Sequence, residues 1–273
     1  MASETVATNQ APPSLNPSHP LQDRVAIVTG SSRGIGRAIA LHLAALGARV
    51  VVNYISNSSQ AELVATQINS IHPNITSPRA ITVQADVSEP TQIKSLFDVA
   101  EQTFNSLVHI LVNSAAVADP KCSSIATTPL EDFDKILSVN TRGAFLCCKE
   151  AANRIKRDGG GRVILLSSSV VASPKLGHGS YAASKAAVDA MVKILAKELK
   201  GTGITANCVS PGAVATEMFF AGRSEDDVQR FIDECPMGRL GETQDVAPVV
   251  GFLATDAGEW VNGQVIRVNG GYV

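Results

Sequence analysis

A tyrosine and a lysine spaced four residues apart indicate acid–base chemistry on a carbonyl or hydroxyl group. Tyr181 and Lys185 enclose the run Tyr-Ala-Ala-Ser-Lys, and this separation places both side chains on one face of a helix. An unperturbed tyrosine has a pKa near ~10 and is a poor proton donor at neutral pH. Because an adjacent ammonium group favours the phenolate and lowers that pKa, the pair predicts Tyr181 as a general acid.

Two further polar residues lie where they could assist this pair. Ser168 stands at the end of an apolar run that predicts a strand, and its hydroxyl could hold a carbonyl oxygen. Ser167 and Ser169 are the rival assignments, which strand alternation and the distance to Tyr181 disfavour; their hydroxyls would satisfy local backbone groups. Asn140 lies in an otherwise apolar helical segment, where a side-chain amide needs hydrogen-bond partners. The alternative to a functional role is that neighbouring backbone groups satisfy this amide.

A glycine-rich turn precedes these residues in the chain. Residues 29–36 read Thr-Gly-Ser-Ser-Arg-Gly-Ile-Gly, between a short apolar run and a segment with helical periodicity. Glycines in this context permit a tight turn and let the backbone approach a pyrophosphate, while the helix N-terminus supplies partial positive charge. The turn therefore predicts a dinucleotide site.

The residues after the second predicted strand favour NADP(H) over NAD(H). NAD-binding sites of this kind carry an acidic residue there, about 20 residues after the glycines, but residues 53–58 contain none and the first carboxylate is that of Glu62. Arg33, in the glycine turn, has a guanidinium suited to a 2′-phosphate. The alternative is that Arg33 is a solvated surface residue and that Tyr54 only packs.

The elements that must position these residues alternate between strand and helix. Short Val-, Ile- and Leu-rich runs predict seven strands, separated by helix-length segments, at 25–29, 49–53, 80–84, 108–113, 162–167, 205–210 and 264–268. Runs without polar alternation indicate strands covered on both faces. We therefore expect a single-domain α/β Rossmann fold, a doubly wound seven-stranded parallel sheet with helices on both faces.

Composition excludes several classes of function. The 273 residues carry 23 Lys and Arg against 25 Asp and Glu, and aromatic residues make up only 4%, so the chain lacks the basic surface and the stacking residues of a nucleic-acid binder. No apolar run approaches the ~20 residues of a membrane span. Five cysteines without a Cys-x-x-Cys pair indicate a reducing compartment, and no spacing typical of metal ligands appears.

Two segments fall outside the sheet pattern. Residues 1–20 hold four of the thirteen prolines and few apolar side chains, so we expect a disordered tail before an NADP-binding catalytic domain at 21–273. We expect a cytoplasmic location, with a plastid as the alternative, because a transit peptide is Arg-rich and no Lys or Arg precedes Arg24. Residues 213–237 predict a lid, in which Met218 and Phe219 would cover a substrate or simply pack on the core.

The helix that begins at Tyr181 shows two apolar stripes. Val188, Val192 and Leu195 belong to one stripe, and the other is built from smaller residues, Ala183, Ala187, Ala190 and Ile194. Two stripes exceed what one core needs. A homo-oligomer, a dimer or a tetramer, is therefore expected.

Taken together, these residues resemble the short-chain dehydrogenase/reductase family in its compact-length branch. The resemblance covers residues 24–273 and rests on an ordered set of motifs: the 29–36 turn, Asp86, Asn113, Asn140, Ser168, Tyr181, Lys185, and Pro211-Gly212 with Thr216. It implies catalysis by Asn140, Ser168, Tyr181 and Lys185. The predicted substrate-binding residues are Ser168 and Tyr181 and, from the lid, Met218 and Phe219. Asn140 would anchor a water in a proton relay.

The resemblance also implies where the cofactor binds. Asp86 and Val87 would flank the adenine, Asn113 and Lys185 would support the ribose region, and the Pro211 segment would line the nicotinamide and its phosphate. The predicted cofactor-binding residues are Gly30, Ser32, Arg33, Gly34, Ile35, Gly36, Asn53, Tyr54, Ser56, Asp86, Val87, Asn113, Ala115, Tyr181, Lys185, Pro211, Gly212, Val214 and Thr216. The chain departs from the family at Ala116, where glycine is common; the extra methyl narrows the crevice and removes no chemical group.

A narrower resemblance is to plant NADPH-dependent aldehyde and ketone reductases. It rests on the glycine turn, on the Asn53-Tyr54 strand end and on the closing Val268-Asn269-Gly270-Gly271. We therefore expect an NADPH-dependent carbonyl reductase. One alternative is a 3-oxoacyl carrier-protein reductase, whose acidic partner needs a basic patch, for which Arg154, Lys156, Arg157 and Arg162 are the candidates. The other is a non-catalytic NADPH-binding regulator, against which the complete catalytic set argues.

Overall fold

The computed structural model describes residues 19–71 and 77–273. Its strands are β1 (Val25–Thr29), β2 (Arg49–Tyr54), β3 (Ala80–Gln84), β4 (Ile110–Asn113), β5 (Gly161–Leu166), β6 (Ile204–Pro211) and β7 (Val265–Val268). The expectation of a disordered tail falls almost wholly outside the described residues.

The seven strands form one parallel sheet in the order β3-β2-β1-β4-β5-β6-β7. The order reverses direction between β1 and β4, and in open α/β sheets ligands bind outside the carboxyl ends of the strands at such a switch point. The predicted fold is confirmed, and it places the glycine turn after β1 at the ligand-binding edge.

Nine α-helices lie in the described part of the chain. They are α1 (Gly34–Ala45), α2 (Ser58–Ser70), α3 (Pro90–Phe104), α4 (Leu130–Leu137), α5 (Gly143–Arg154), α6 (Gly179–Glu198), α7 (Glu217–Phe220), α8 (Glu225–Asp233) and α9 (Thr243–Ala254). None of the helices within residues 19–71 and 77–273 is long and apolar enough to cross a membrane.

Alternate residues of each central strand supply two separate apolar layers. In β1, Ala26 and Val28 face the layer that contains α1, α2 and α9, whereas Val25 and Ile27 face the layer that contains α3, α5 and α6. All four side chains are fully buried. Apolar residues at every position of the strand thus reflect helices packed on both faces, and this packing fixes the strand ends that carry the site.

Two predicted site residues lie in other elements than expected. Ser168 follows β5 by two residues and begins a 3-10 turn at Ser169–Val171, because its hydroxyl accepts the Val170 amide at 3.3 Å instead of continuing the strand. Asn140 lies in a single π-helical turn, Ser138–Arg142, between α4 and α5. π-Turns widen a helix by one residue and occur frequently at functional sites.

Candidate active site

The turn between β1 and α1 requires glycine at two positions. Gly30 has a φ of +60°, and a Cβ there would lie 2.8 Å from the Ala115 Cα; a Cβ on Gly36 would lie 2.4 Å from the Gly30 carbonyl oxygen. This close packing holds the N-terminus of α1, which no side chain caps, at the ligand-binding edge of the sheet. Free amides and the helix dipole there form a site for an anion such as phosphate.

Buried side chains support this turn from below. The Thr29 hydroxyl donates to Asn113 Oδ1 at 2.9 Å and accepts the Ser114 and Ala115 amides, each at 3.1 Å. Asn53 Oδ1 accepts the Gly30 amide at 3.0 Å. The turn is therefore held by the ends of β2 and β4, the two strands that flank β1.

The residues predicted to bind the adenosine end of the cofactor, after β2, differ in how deeply they are buried. Asn53 is buried, and its Nδ2 donates to the Ala85 carbonyl at 3.0 Å, so its side chain supports the backbone. Tyr54 is half-buried against the core beside α1, and Ser56 is exposed. Of the three predicted residues, Ser56 is therefore open to a ligand and Tyr54 partly so.

Arg33 extends from the glycine turn across the groove to the start of α7. Its Nη1 lies 2.7 Å from Glu217 Oε2, and the two side chains are 65% and 75% exposed. Ser32 and Ile35, next to Arg33, are largely turned inward. The sequence analysis did not identify Glu217, since only the fold brings it to the glycine turn.

The remaining predicted cofactor residues line the same edge. Asp86 Oδ1 accepts the backbone amide and the hydroxyl of Ser88 at 2.8 and 2.7 Å, and Val87 is buried. Pro211 ends β6, and Gly212 and Val214 follow it. Thr216 Oγ1 caps α7, and a Cβ on Gly34 would meet its Cγ2 at 3.6 Å. The glycine turn and the segment after β6 thus form facing walls of one groove.

Lys185 is buried on α6 beneath Tyr181. Its Nζ donates to the Leu166 carbonyl at 2.7 Å and lies 5.8 Å from the centre of the Tyr181 ring. Burial lowers the pKa of Lys185 to about 8, against the charge of Asp189 and the Cys208 thiol, which raise it. The amine is therefore still an ammonium at neutral pH.

The Tyr181 phenol responds to other groups than expected. Burial raises the pKa of Tyr181, while a hydrogen bond with Ser168 and the charge of Arg223 act to lower it. Lys185 is not among the groups that shift the pKa of Tyr181 here; its ammonium donates to the Leu166 carbonyl. Sequence analysis missed Arg223; the available signal was a cation three residues after the aromatic pair of the predicted lid.

Among the three serines, Ser168 alone keeps a hydroxyl at the site. Ser167 and Ser169 are buried, and Ser169 donates to the Ser210 carbonyl at 3.3 Å. Ser168 is half-buried and acts on the Tyr181 phenol. This placement favours Ser168 as the residue that holds a carbonyl oxygen.

Asn140 joins the loop after β4 to the catalytic helix. Its Oδ1 accepts the Val117 amide at 2.8 Å, and its Nδ2 donates to the Val117 carbonyl at 2.9 Å and to Ser184 Oγ at 3.0 Å. Ser184 in turn donates to the Tyr181 carbonyl at 2.7 Å. Backbone groups thus satisfy much of the hydrogen bonding of Asn140, as the alternative interpretation of this residue held. Through Ser184, Asn140 also orients the start of α6.

The segment predicted as a lid forms α7 and α8. Phe219 is buried and packs edge-on against Phe220 and Phe231, with ring centres 5.3 and 5.2 Å apart. Met218 is half-exposed, and α8 contains no buried residue. The segment therefore rests on a small aromatic cluster and is otherwise open to solvent.

The basic patch considered for a carrier protein does not form. Arg162 is fully buried and pairs with Asp256, because it lies on a strand covered on both faces. Arg154 is bound by Asp98, Glu101 and Glu150. Only two of the four cations, Lys156 and Arg157, are exposed. Within the described ranges, no three His, Cys, Asp or Glu side chains are grouped as metal ligands would be.

Comparison with known proteins identifies relatives over nearly the whole chain. A family model described as enoyl-(acyl carrier protein) reductase matches residues 30–273. Two proteins of Arabidopsis thaliana are similar: an NADPH-dependent aldehyde reductase-like protein, chloroplastic, 66% identical over 94% of this chain and 97% of that protein, and NADPH-dependent aldehyde reductase 2, chloroplastic, 65% identical over 92% and 94%. Both names place those relatives in the chloroplast, so they give no support to the expected cytoplasmic location.

A solved structure shows the same fold with a dinucleotide. A short chain dehydrogenase from Burkholderia cenocepacia, crystallised in complex with NADP, is 34% identical, with a TM-score of 0.85 over 93% of this chain and 99% of that one. The fold, the family model and relatives at about two-thirds identity agree, and the chain belongs to the short-chain dehydrogenase/reductase family.

Proposed function

We propose that the protein is an NADPH-dependent carbonyl reductase that converts an aldehyde or ketone to the alcohol, and the alcohol back in the reverse direction. The observation that carries this proposal is the half-buried Tyr181 side chain, with the Ser168 hydroxyl acting on its phenol and the Lys185 ammonium beneath it, at the same sheet edge as the glycine turn. The relatives' names as NADPH-dependent aldehyde reductases support the same activity.

The residues present fit NADP(H). A glycine turn packed to 2.8 Å against Ala115 and an uncapped helix N-terminus suit a pyrophosphate. Arg33 carries a guanidinium at the groove, and no carboxylate stands at residues 53–58 to repel a 2′-phosphate. We assign the cofactor to the glycine turn, Ser56, Asp86, Val87, Asn113, Ala115, Lys185 and the segment from Pro211 to Thr216.

The reaction needs one hydride and one proton. Bound NADPH supplies the hydride to the carbonyl carbon and is thereby oxidised to NADP⁺. Ser168 holds the carbonyl oxygen, and Tyr181 gives its proton to that oxygen as the C=O double bond is reduced. General acid catalysis of this kind contributes typically ~10²–10⁴ in rate.

Asn140 and Lys185 prepare this proton transfer. Asn140 holds the first turn of α6 through Ser184, so the phenol is fixed before substrate arrives. The Lys185 ammonium, charged below its pKa of about 8 and 5.8 Å from the centre of the Tyr181 ring, would hold the ribose of the cofactor beside the phenol. Met218 and Phe219 would cover the apolar part of the substrate from α7.

A homo-oligomer follows from the outer stripe of α6. Ala183, Ala190 and Ile194 remain exposed, with Ile194 at 57%, and Phe145 of α5 is also half-exposed. Small residues beside large apolar ones suit close helix packing against a second copy. Light scattering at micromolar concentration should therefore give a dimer or a tetramer, and a monodisperse monomer would contradict this.

A plastid is the proposed location, because both Arabidopsis relatives are named as chloroplastic. Residues 1–20 are rich in Ser, Thr and Pro and hold one acidic residue, a composition that partly matches transit peptides. Fluorescence of a full-chain fusion in leaf cells would coincide with chlorophyll if this is correct, and would fill the cytosol otherwise.

The activity is tested by loss of NADPH absorbance with a panel of aldehydes, aromatic and cyclic ketones, diketones and a 3-oxoacyl thioester, with NADH as the control. Turnover of aldehydes or ketones with NADPH supports the proposal. Selective turnover of the thioester would instead indicate a 3-oxoacyl carrier-protein reductase. NADPH binding without any turnover would indicate the regulator.

A further inference from the structure

The lid carries one cation that lacks a carboxylate partner. Arg230 pairs with Asp227, and Lys175, which faces the lid from the loop after β5, pairs with Glu234. Arg223, between α7 and α8, has no carboxylate oxygen within 4.0 Å among residues 19–71 and 77–273. It is also half-buried, so its charge is less screened than that of the exposed Arg230.

Contacts from three sides hold the Arg223 guanidinium in place. One Nη donates to the Phe219 carbonyl, and the other lies 3.2 Å from His178 Nε2. The guanidinium carbon lies 4.6 Å from the centre of the Phe219 ring and 5.4 Å from that of Phe231. An arginine fixed in this way loses little further freedom when it binds a ligand, since its planar group is already oriented.

These contacts place the Arg223 guanidinium beside the N-terminal end of α6, the helix that carries Tyr181. His178 directly precedes α6, three residues before Tyr181, and Phe219 is a predicted substrate residue. The charge of Arg223 acts on the Tyr181 phenol, where the substrate carbonyl must lie. Three of the five guanidinium N–H groups have no acceptor among the described side chains and backbone groups, so a bidentate ligand could still bind.

We propose that Arg223 selects carbonyl substrates that carry a carboxylate a few bonds from the reacting carbon. This inference rests on the proposed carbonyl reductase function. Arginine binds carboxylates through paired N–H groups, and such charge-assisted hydrogen bonds are about twice as strong as neutral ones. The aromatic rings beneath the guanidinium exclude water from one side and strengthen the contact. The substrate class is therefore oxo-carboxylic acids, including aldehydes with a terminal carboxylate.

The test compares 4-oxobutanoate with its methyl ester, which differ in charge and little in shape. We expect the wild-type enzyme to favour the carboxylate by about tenfold or more in kcat/KM. In Arg223→Gln both rates should fall, because the charge also acts on Tyr181, but the carboxylate should fall at least about tenfold further. Arg223→Lys should keep part of the preference, and Arg230→Gln in the same lid should keep all of it.

Salt provides a test that needs no variant. If Arg223 binds a carboxylate, KM for 4-oxobutanoate should rise between 0.05 and about 0.5 M NaCl, while KM for the ester stays constant. Equal loss on both compounds in Arg223→Gln would show a purely structural role and overturn the inference, as would a wild-type preference for the ester. Turnover of the ester without any preference would overturn it while sparing the proposed function, whereas inactivity on the whole carbonyl panel would overturn both.

Discussion

Buried polar side chains lie at both edges of the sheet, where the strands begin and where they end. At the beginning, Arg162 donates to the Gly161 carbonyl at 2.8 Å and to Asp256 at 3.1 Å, and Asp256 also binds Arg24 at 2.7 Å. At the end, Lys185 and Asn140 are held mainly by backbone groups. The charges at the beginning of the sheet are paired with each other, whereas the Lys185 ammonium at the end is held by a carbonyl group and forms no ion pair within the described residues.

Because of this difference, the polar residues where the strands begin contribute to stability, and those where the strands end are available for chemistry. In the network of Arg162, Asp256 and Arg24, the Arg24 Nη1 has no hydrogen-bond partner within the described residues but is buried, so no ligand reaches it and the network acts on folding. A site whose lysine, serine and tyrosine are oriented by backbone contacts leaves hydroxyl and ammonium groups to act on a substrate. Substitutions at one edge should therefore change folding without changing kcat, and substitutions at the other should do the reverse.

The largest effect is expected for Tyr181→Phe. Loss of the phenolic proton should lower kcat by about 10³-fold or more, while NADPH binding and the free energy of unfolding stay nearly unchanged. Initial rates, NADPH fluorescence titration and urea unfolding measure the three quantities. Tyr272→Phe is the matched control, because that hydroxyl donates to Glu234 on the surface, and near-normal turnover in Tyr181→Phe would refute the assignment.

Asp256→Asn should act in the opposite way. It leaves fully buried Arg162 without its counter-charge, which costs about 3 kcal/mol of unfolding free energy, while kcat per folded molecule is retained. Urea unfolding and active-site titration check this. Asp134→Asn, on the exposed face of α4, is the control, and an equal loss of stability there would contradict the argument.

His109 should make the beginning of the sheet sensitive to acid. Burial, together with the charges of Lys156 and Arg24, lowers the pKa of His109 to about 4, and its Nδ1 accepts the Val25 amide at 3.2 Å. Because the unfolded histidine titrates near ~6.5, its contribution is complete above that pH and is lost as the pH falls to 4.

Between pH 7 and pH 5 this linkage should cost the wild-type protein about 2 kcal/mol through His109 alone. His109→Asn, which keeps an acceptor and cannot be protonated, should show a smaller difference between urea midpoints at the two pH values. Identical pH dependence of stability in both proteins would show that His109 does not cause this loss of stability.

The smallest effect is expected at the entrance of the cofactor groove. Arg33→Ala should reduce the NADPH over NADH preference in kcat/KM by about tenfold, the value of one charge-assisted phosphate contact. Glu217→Gln removes the competing carboxylate and keeps Arg33, so the preference should be kept or increase. An unchanged preference in Arg33→Ala would contradict NADP selection by this residue.

The sequence predicted most of the fold because strands buried on both faces have an unambiguous pattern. The bounds of β1 and β3 agree to the residue, and β2 and β5 differ by one at their ends. The π-turn at Asn140 could not be predicted, since the contacts that hold it come from Val117 and Ser184, far apart along the chain.

The candidate site was predictable where it depends on local spacing and unpredictable where it depends on partners. Local spacing places Lys185 beneath Tyr181 on α6 and the glycine turn between β1 and α1, and the ordered set of further motifs indicated their function. Arg33 meets Glu217 across 184 positions and Arg223 meets His178 across 45, so only the folded chain reveals them. The prediction that Arg162 belongs to a basic surface patch was wrong for the same reason, since its partner Asp256 lies 94 positions away in the sequence.

The burial of the cysteines affects how readily an aldehyde substrate could modify the protein covalently. Thiolates are nucleophiles that attack aldehydes and other carbonyl electrophiles. Burial raises the pKa of Cys148 to about 12 and raises those of Cys147 and Cys208 still further, so these thiols stay protonated and shielded. Only Cys122 and Cys235 are partly accessible. Modification by a reactive aldehyde is therefore expected at Cys122 and Cys235 and not at the three buried cysteines.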